Sequence, residues 1–433
     1  MKISVIGCGY LGAVHAACMA ELGHEVVGID VDEAKIASLA TGRAPFFEPG
    51  LPELLERALA SGRLRFTTDI AEARGAAVHF VAVGTPQQRD SDAADLRFVD
   101  AAFGALAPHL ATGDLVVGKS TVPVGTAERL APIVEAAGAA LAWNPEFLRE
   151  GFAVQDTLTP DRLVYGVRPG DEHSVALLDD VFASALAAGT PRVVTDYATA
   201  ELVKVAANAF LATKISFINA MAEVAEATGA DVTQLADAIG YDARIGRRFL
   251  NAGVGFGGGC LPKDIRGFMA RADELGVGDA LEFLRDVDAI NLRRRERVVQ
   301  LVVEAVGGSI AGARVAVLGL AFKPDSDDVR DSPALDVASR LRALGAEVRA
   351  TDPEAIETSR RIVPDLTYVA DVDDAVRDAD VVVLVTEWRR YRDLTPDDLG
   401  PLVAGRTIID GRNVLDPATW RAAGWDYRGL GRP

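Results

Sequence analysis

The sequence predicts an α/β protein in which two doubly wound domains are joined by a helical domain with one long central helix. Three observations carry this. Between Met1 and Thr190, short β-branched runs alternate with Ala/Leu-rich amphipathic stretches. From Thr199 to Thr228 the chain has neither Pro nor Gly. From Gly312 the strand-and-helix alternation returns. Such alternation argues a parallel sheet flanked by helices. With 433 residues and roughly 150 per domain, the pattern divides into domains 1–196, 197–308 and 309–433.

The elements follow in order. Ile3–Ile6 is a first strand, and after a helix Glu25–Ile29 is a second that ends at Asp30. Val78–Val83, broken only by His79, and Leu115–Gly118 are apolar runs, as expected of strands covered on both faces. The long helix then opens a helix-forming stretch that continues to about Val306. Beyond it, Arg314–Gly319 reads as a strand into a turn, followed by a helix at Ala334–Leu344 and a strand at Glu347–Thr351 ending at Asp352. Asp380–Thr386 corresponds to Ala77–Thr85. The last third is thus a coarse second copy of the opening.

Composition narrows the function classes. Forty-five Lys+Arg against 63 Asp+Glu leave a net charge of −18, which excludes nucleic-acid binding through bulk charge. A hydrophobic share of 49 % excludes extensive disorder. The cysteines, Cys8, Cys18 and Cys260, are odd in number and lack metal-ligand spacing, so neither a disulfide framework nor a metal is expected. The amino-terminal apolar run is too short for a signal peptide, and no stretch approaches the roughly 18 apolar residues of a membrane span. A soluble, cytoplasmic protein with no membrane partner is the expectation.

Gly7-Cys8-Gly9-Tyr10-Leu11-Gly12 fits the Gly-x-Gly-x-x-Gly fingerprint, with a strand before it and a helix after it. Such glycines let backbone approach a pyrophosphate at the positive end of a helix, which makes the domain Rossmann-like. Asp30, at the end of the next strand, is placed to accept hydrogen bonds from an adenosine ribose. It would repel the extra phosphate of NADP, so NAD is the expected cofactor, and Lys35 on the next helix is a candidate contact. The corresponding second turn, Gly319-Leu320-Ala321-Phe322-Lys323-Pro324, lacks the later glycines and carries Lys323. With Arg330 and Arg412 it suggests a different phosphorylated ligand.

The richest segment runs from Asn251 to Asp264. Five of the seven residues from Gly253 to Gly259 are glycine, a pattern that lets backbone amides wrap closely around a ligand. Cys260 follows, with Pro262 placed to begin a helix. A thiol at a helix amino terminus beside Lys263 favours the thiolate, whereas Cys8 and Cys18 carry no assigned chemistry. Lys204 and Asn208 share one face of the long helix, where a lysine snorkelling to solvent and a polar pair lining a cavity are both open readings. Asn144–Gly151 and Lys119–Pro123 each follow a strand, at the edge where doubly wound domains bind ligands.

Five segments in order, Gly7–Gly12, Lys119–Pro123, Asn144–Gly151, Gly255–Asp264 and Phe322–Ser332, resemble the UDP-glucose/GDP-mannose dehydrogenase family from Met1 to about Leu415. The resemblance implies an NAD-dependent four-electron oxidation of UDP-glucose to UDP-glucuronate, with two NAD reduced per sugar. It implies that Cys260 forms a thiohemiacetal and then a thioester, that Glu146 acts as general acid/base, and that Thr121 and Asp264 hold the water. Lys204 and Asn208 would stabilise charge on the substrate oxygen. Glu146, Phe147, Leu148, Arg149 and Glu150 would contact the nucleotide sugar, as would Phe249, Leu250, Asn251, Ala252, Gly253 and Gly257, with Phe322, Lys323 and Arg412. Thr85, Pro86, Thr121, Glu150, Lys263 and Arg330 would complete the cofactor site. Arg244 would reach a neighbouring subunit's substrate, which implies a homodimer or larger homo-oligomer. The chain departs from the family at Gly259, where serine is frequent, and at Ser326, where threonine is common. The same chemistry on GDP-mannose or a UDP-N-acetylhexosamine is the nearest competing reading. A single-step hydroxy-acid dehydrogenase and a silent nucleotide-sugar scaffold are others, and the Cys260 segment speaks against both.

Overall fold

Fourteen strands form two sheets, one of eight and one of six. The computed structural model describes all 433 residues. They divide into one unit of Met1–Ala207 with Arg266–Gly278 and another of Asn208–Ile265 with Asp279–Pro433. The divisions fall inside two helices, Tyr197–Thr228 and Leu261–Glu274.

In the first unit the strands are β1 (Lys2–Ile6), β2 (Glu25–Ile29), β3 (Leu64–Thr67), β4 (Val78–Val81), β5 (Leu115–Gly118), β6 (Ala140–Trp143), β7 (Leu163–Gly166) and β8 (Arg192–Thr195). Their order is β3-β2-β1-β4-β5-β6-β7-β8. All neighbours are parallel except β6 and β7, which pair antiparallel at Trp143 and Gly166. Alternate residues feed two cores. Ile3 and Val5 pack with Ala13, Ala16 and Ala17 of the helix Tyr10–Glu21, while Ile6, Val27 and Ile29 join Val99, Phe103 and Leu130. Burial on both faces is why these strands lack a polar alternation. β4 stops two residues short of its apolar run, and the Val83 carbonyl beyond it accepts the Ser120 hydroxyl at 2.7 Å.

The helix after β1 lies tight on the sheet because its contact face is alanine and glycine. A Cβ on Gly12 would stand 1.8 Å from the Gly7 carbonyl oxygen, so only glycine fits there. Strand order reverses between β1 and β4, and their carboxyl ends therefore flank an open crevice. The fingerprint turn and Thr85-Pro86 follow these two strands.

In the second unit the strands are β9 (Arg314–Leu318), β10 (Glu347–Thr351), β11 (Thr367–Tyr368), β12 (Val381–Leu384), β13 (Thr407–Asp410) and β14 (Asp426–Gly429). The order β11-β10-β9-β12-β13-β14 is parallel throughout and repeats that of the first six strands of the other sheet. Phe322 and Lys323 follow β9 at the equivalent reversal point, and Arg412 follows β13.

The long helix begins at Tyr197, two residues before the expected start. Ala200 packs in the first unit's core, and Ile218, Ala222 and Ala225 pack in the second unit with Val232, Ala236 and Leu250. This helix corrects one expectation: with a mean hydropathy of 1.3 over its most apolar window, it is long and apolar enough to cross a membrane. Its apolar content reflects packing on these cores, and the buried Ser216 hydroxyl donates to the Val287 carbonyl at 2.7 Å.

Gly12→Ala is expected to lower stability by about 1–3 kcal/mol, the usual cost of forcing atoms into a packed contact. Urea unfolding measures this, and an unchanged midpoint would mean that the turn opens without cost.

Candidate active site

The fingerprint turn is built to receive an anion. The Gly7 N–H donates to Ile29 O at 2.7 Å, which ties the turn to β2. Helix Tyr10–Glu21 has Gly9 as its N-cap, with no side-chain cap and no acid in its first turn. No atom lies within 4 Å of where a Gly9 side chain would project. Its first-turn N–H groups, left without side-chain acceptors, match a pyrophosphate. Asp30 closes the crevice from β2, with Oδ2 accepting the Cys8 N–H at 2.8 Å and Lys35 Nζ at 2.8 Å, and Oδ1 accepting the Asp32 N–H at 3.0 Å. Burial pushes its carboxyl up, but Lys35 and the Asp32 and Cys8 N–H groups outweigh that and hold it below the usual range. An ionised acid at this place fits a dinucleotide ribose. Lys35, expected at the cofactor, is paired with Asp30.

The second copy is closed at the matching point. Asp352 accepts N–H groups from Leu320 at 2.8 Å, Ala321 at 3.1 Å, Glu354 at 3.0 Å and Ala355 at 2.9 Å, and the Trp388 indole N–H at 3.1 Å. A carboxylate so occupied has little left for a ribose.

Two further loops leave the first sheet. After β5, Lys119 is buried, and its ammonium donates to Asn144 Oδ1 at 2.9 Å and pairs with Glu146 Oε2 at 3.0 Å. Glu146 Oε1 accepts the Phe147 and Leu148 N–H groups at 2.8 and 3.0 Å, so this carboxylate is oriented from both sides. The Thr85 hydroxyl donates to the Thr121 carbonyl at 2.8 Å, and the Pro86 carbonyl accepts the Asp95 N–H at 2.7 Å. Lys204 is half-buried, with its ammonium 5.5 Å from the centre of the Phe147 ring. Arg149 is bound to Asp156 at 2.9 and 2.7 Å, and Glu150 is buried.

In the second unit, Cys260 is exposed and immediately precedes helix Leu261–Glu274, where its carbonyl accepts the Asp264 N–H at 2.9 Å. Cys8 and Cys18 are buried, and burial pushes both thiols up, consistent with inert groups. Asp264 is buried, accepting Lys263 Nζ at 2.7 Å and Asn208 Nδ2 at 2.6 Å. The lysine charge beside Cys260 is therefore partly offset by Asp264, leaving the helix terminus as the plainer source of positive potential.

The glycine-rich loop, expected to wrap a ligand, is itself bonded within the second unit. Its N–H groups at Gly253, Val254, Phe256 and Gly258 already donate to Asn219 Oδ1, Gly411 O, Asn291 Oδ1 and Arg330 O at 2.7–2.9 Å. The glycines serve close packing within the unit. Gly258, at φ 86°, lies where a Cβ would be 2.7 Å from the Phe322 ring. A Cβ on Gly259 would be 2.2 Å from the Arg330 guanidinium carbon, so the departure from serine leaves room for that arginine, which is held by Asp328 at 2.7 Å.

Other expected ligand contacts stand as follows. Arg412 donates to Val385 O, Gly255 O and Phe322 O at 2.8–2.9 Å and pairs with Glu387 at 3.0 Å, which joins the loop to the second turn. Lys323 lies 5.3 Å from the Phe322 ring centre. Leu250 and Ala252 are in a core cluster, so they offer a ligand backbone rather than side chains. Phe249 is exposed at a positive φ of 66°, Asn251 Oδ1 accepts Arg247 at 2.8 Å, and Arg244 stands in solvent on Asp242 at 2.6 Å. Ser326, the other departure, is buried and its hydroxyl accepts the Asp328 N–H at 3.1 Å.

Sequence reading missed Glu48. It is 3 % exposed, accepts the Tyr10 hydroxyl, and receives the Gly151 and Ala153 N–H groups at 2.7 Å each, linking the fingerprint helix to the Glu146 loop. A lone acid between Phe46-Phe47 and Pro49-Gly50 was the available signal.

Family models match along the chain: the NAD-binding domain of the UDP-glucose/GDP-mannose dehydrogenase family at residues 1–186, its central domain at 198–293 and its UDP-binding domain at 316–417. A UDP-glucose 6-dehydrogenase of Rhizobium meliloti (strain 1021) is 42 % identical over 438 residues, covering 100 % of both chains. One of Bacillus subtilis (strain 168) is 42 % identical, covering 100 % of this chain and 93 % of its own. Among solved structures, a UDP-glucose dehydrogenase from Pyrobaculum islandicum superposes with a TM-score of 0.90 at 41 % identity, covering 100 % of this chain and 98 % of that one. A UDP-D-ManNAc dehydrogenase from Pyrococcus horikoshii gives 0.86 at 28 %, covering 100 % and 99 %.

With an NAD-binding domain and an ionised Asp30 just after β2, Asp30→Ala is expected to weaken NAD binding by about tenfold or more, the worth of a charge-assisted hydrogen bond. It should also narrow the gap to NADP. Calorimetric titration with both cofactors checks this, and equal wild-type affinity for the two would show the role of Asp30 to be misassigned.

Proposed function

The chain belongs to the UDP-glucose/GDP-mannose dehydrogenase family, and from that premise we propose that it oxidises UDP-glucose to UDP-glucuronate, reducing two NAD per sugar. The observation that carries this reading is an exposed Cys260 at the amino end of a helix, followed by the Asp264–Asn208 pair. The sugar is assigned by likeness: relatives named for UDP-glucose reach 42 % identity, against 28 % for the one named for UDP-D-ManNAc. In the three-domain division, 1–196 holds NAD, 197–308 supplies the thiol and 309–433 holds the nucleotide.

In this reading the Gly7–Gly12 turn holds the pyrophosphate of NAD and Asp30 its ribose. NAD, when bound, takes up the hydride removed from C6 at each of the two oxidations. Lys204 and Asn208 stabilise negative charge on the C6 oxygen as its proton leaves. The Cys260 thiolate attacks the aldehyde carbon to give a thiohemiacetal, and loss of hydride from that adduct leaves a thioester, an acyl group activated towards water. Thr121 and Asp264 hold that water. Glu146 takes its proton, and the thiolate departs as the carboxylate forms. The Lys119 pairing supports this role for Glu146, because an oriented carboxylate can accept a proton along a fixed direction. A thiol nucleophile requires reducing surroundings, which supports a cytoplasmic location.

The same reading includes a dimer. Phe210, Phe217 and Val224 are exposed at seven-residue spacing along the long helix, an apolar stripe suited to a second copy of this chain. Arg244, on the exposed segment that follows, would then reach the partner's substrate.

Wild-type protein is expected to release two NADH per UDP-glucose consumed, while Cys260→Ala binds both ligands yet forms almost no UDP-glucuronate. Product formation by Cys260→Ala at the wild-type rate would refute the covalent route. Phe217→Asp is expected to shift the sedimenting species from dimer to monomer; an unchanged mass would place any interface elsewhere.

A further inference from the structure

Glu201 is 2 % exposed on the long helix, one turn before Lys204. Its carboxylate reaches 76 residues back along the chain: one oxygen accepts the Gly125 N–H at 2.7 Å, and the other the Ala127 N–H at 2.7 Å. These groups open helix Thr126–Glu135, whose N-cap, Gly125, has no side chain to cap it. The loop they terminate begins at Lys119 and carries Thr121. Arg271 is the charged group facing the carboxylate from another element. It donates to Val124 O at 3.0 Å and pairs with Glu274 at 2.7 Å. Lys204 is the nearest charge on the same helix.

The Glu146 loop is fastened in the same manner. Glu48 accepts the Gly151 and Ala153 N–H groups at the head of helix Ala153–Leu158. The Thr121 and Glu146 loops thus each end on a buried glutamate that bridges two N–H groups spaced two residues apart.

We propose that Glu201 is a positioning residue that grips Gly125 and Ala127 and so keeps Thr121 in fixed register with Lys204 on its own helix. The proposal rests on the reading of Thr121 and Lys204 as part of the catalytic machinery. The grip needs two acceptor oxygens. Glutamine offers one, and its amide N–H groups would face a second N–H donor. Burial pushes the Glu201 carboxyl up to about 7, against the pull of the Ala127, Gly125 and Thr126 N–H groups and of Arg271. The ionised form that accepts both N–H groups therefore prevails above that pH, and the grip loosens as pH falls through it.

The test combines kinetics with amide hydrogen exchange on the full-length protein. Glu201→Gln is expected to lower kcat at pH 8 by about tenfold or more, as misplacement of a catalytic group does. Both KM values should stay within about threefold, because binding is not what is lost. Two NADH per sugar should still be released. The acid limb of the wild-type kcat profile, with its midpoint near pH 7, should vanish in Glu201→Gln and return in Glu201→Asp at a reduced rate. In wild type, exchange protection at Gly125 and Ala127, corrected for intrinsic rates, should fall between pH 8 and pH 6. Wild-type kcat in Glu201→Gln, or protection that does not change with pH, overturns the proposal. If Glu201→Gln does not fold, the wild-type exchange arm alone decides. A wild type that releases one NADH per sugar, or none, counts against the catalytic reading, while the exchange arm still judges the grip.

Discussion

Backbone N–H groups in loops that carry chemistry must be satisfied without regular secondary structure, and here buried acids do much of that. An unsatisfied buried donor costs about 1–3 kcal/mol, so each loop needs its own acceptor. Asp30 accepts from the fingerprint turn, Asp352 from its counterpart, Glu48 from the end of the Glu146 loop and Glu201 from the end of the Thr121 loop. Asp410 accepts the Arg412 and Leu415 N–H groups at 3.1 and 2.8 Å from a fully buried position, and burial pushes its carboxyl up. Part of the acid surplus behind the −18 charge is therefore internal scaffolding rather than surface.

The same strand order serves two ends because the acid after the second strand is used differently in each copy. Asp30 bonds three donors and stands beside an open turn; Asp352 bonds five and is sealed under Trp388. Duplicated topology thus yields one crevice beside an open turn and another whose turn is closed by its own acid and carries Lys323. The glycine loop before Cys260 belongs to this second arrangement. Asn219, Asn291, Arg330 and Gly411 hold its backbone, and Arg412 ties its Gly255 carbonyl to that of Phe322. The thiol consequently sits at the end of a rigid segment.

Strands buried on both faces were legible as apolar runs, as at Leu115–Gly118 and Val26–Ile29, while Glu347–Thr351, which carries Arg349, was legible from its place after a helix and before Asp352. The fingerprint turn was legible for a related reason, since the contact at Gly12 admits no other residue. Less legible was anything set by contacts distant in sequence. Glu201 and Glu48 meet partners 76 and 103 residues away, and nothing near them in the chain announces those bonds. The packing of the glycine loop was hidden for the same reason, because Gly258 and Gly259 answer to Phe322 and Arg330, which come more than sixty residues later. The long helix was legible as a helix, and packing on two cores accounts for its apolar composition.

The central claim is that Cys260 becomes acylated during the second oxidation. The most direct test is to mix UDP-glucose and NAD with Glu146→Gln, in which hydrolysis lacks its base and the acyl group should accumulate. Acid quenching and peptide mass analysis then locate it. The account predicts a hexuronyl adduct, still carrying its nucleotide, on the peptide containing Cys260 and on no other. UDP-glucuronate formed while the Cys260 peptide stays unmodified, or an adduct on a different side chain, would contradict it.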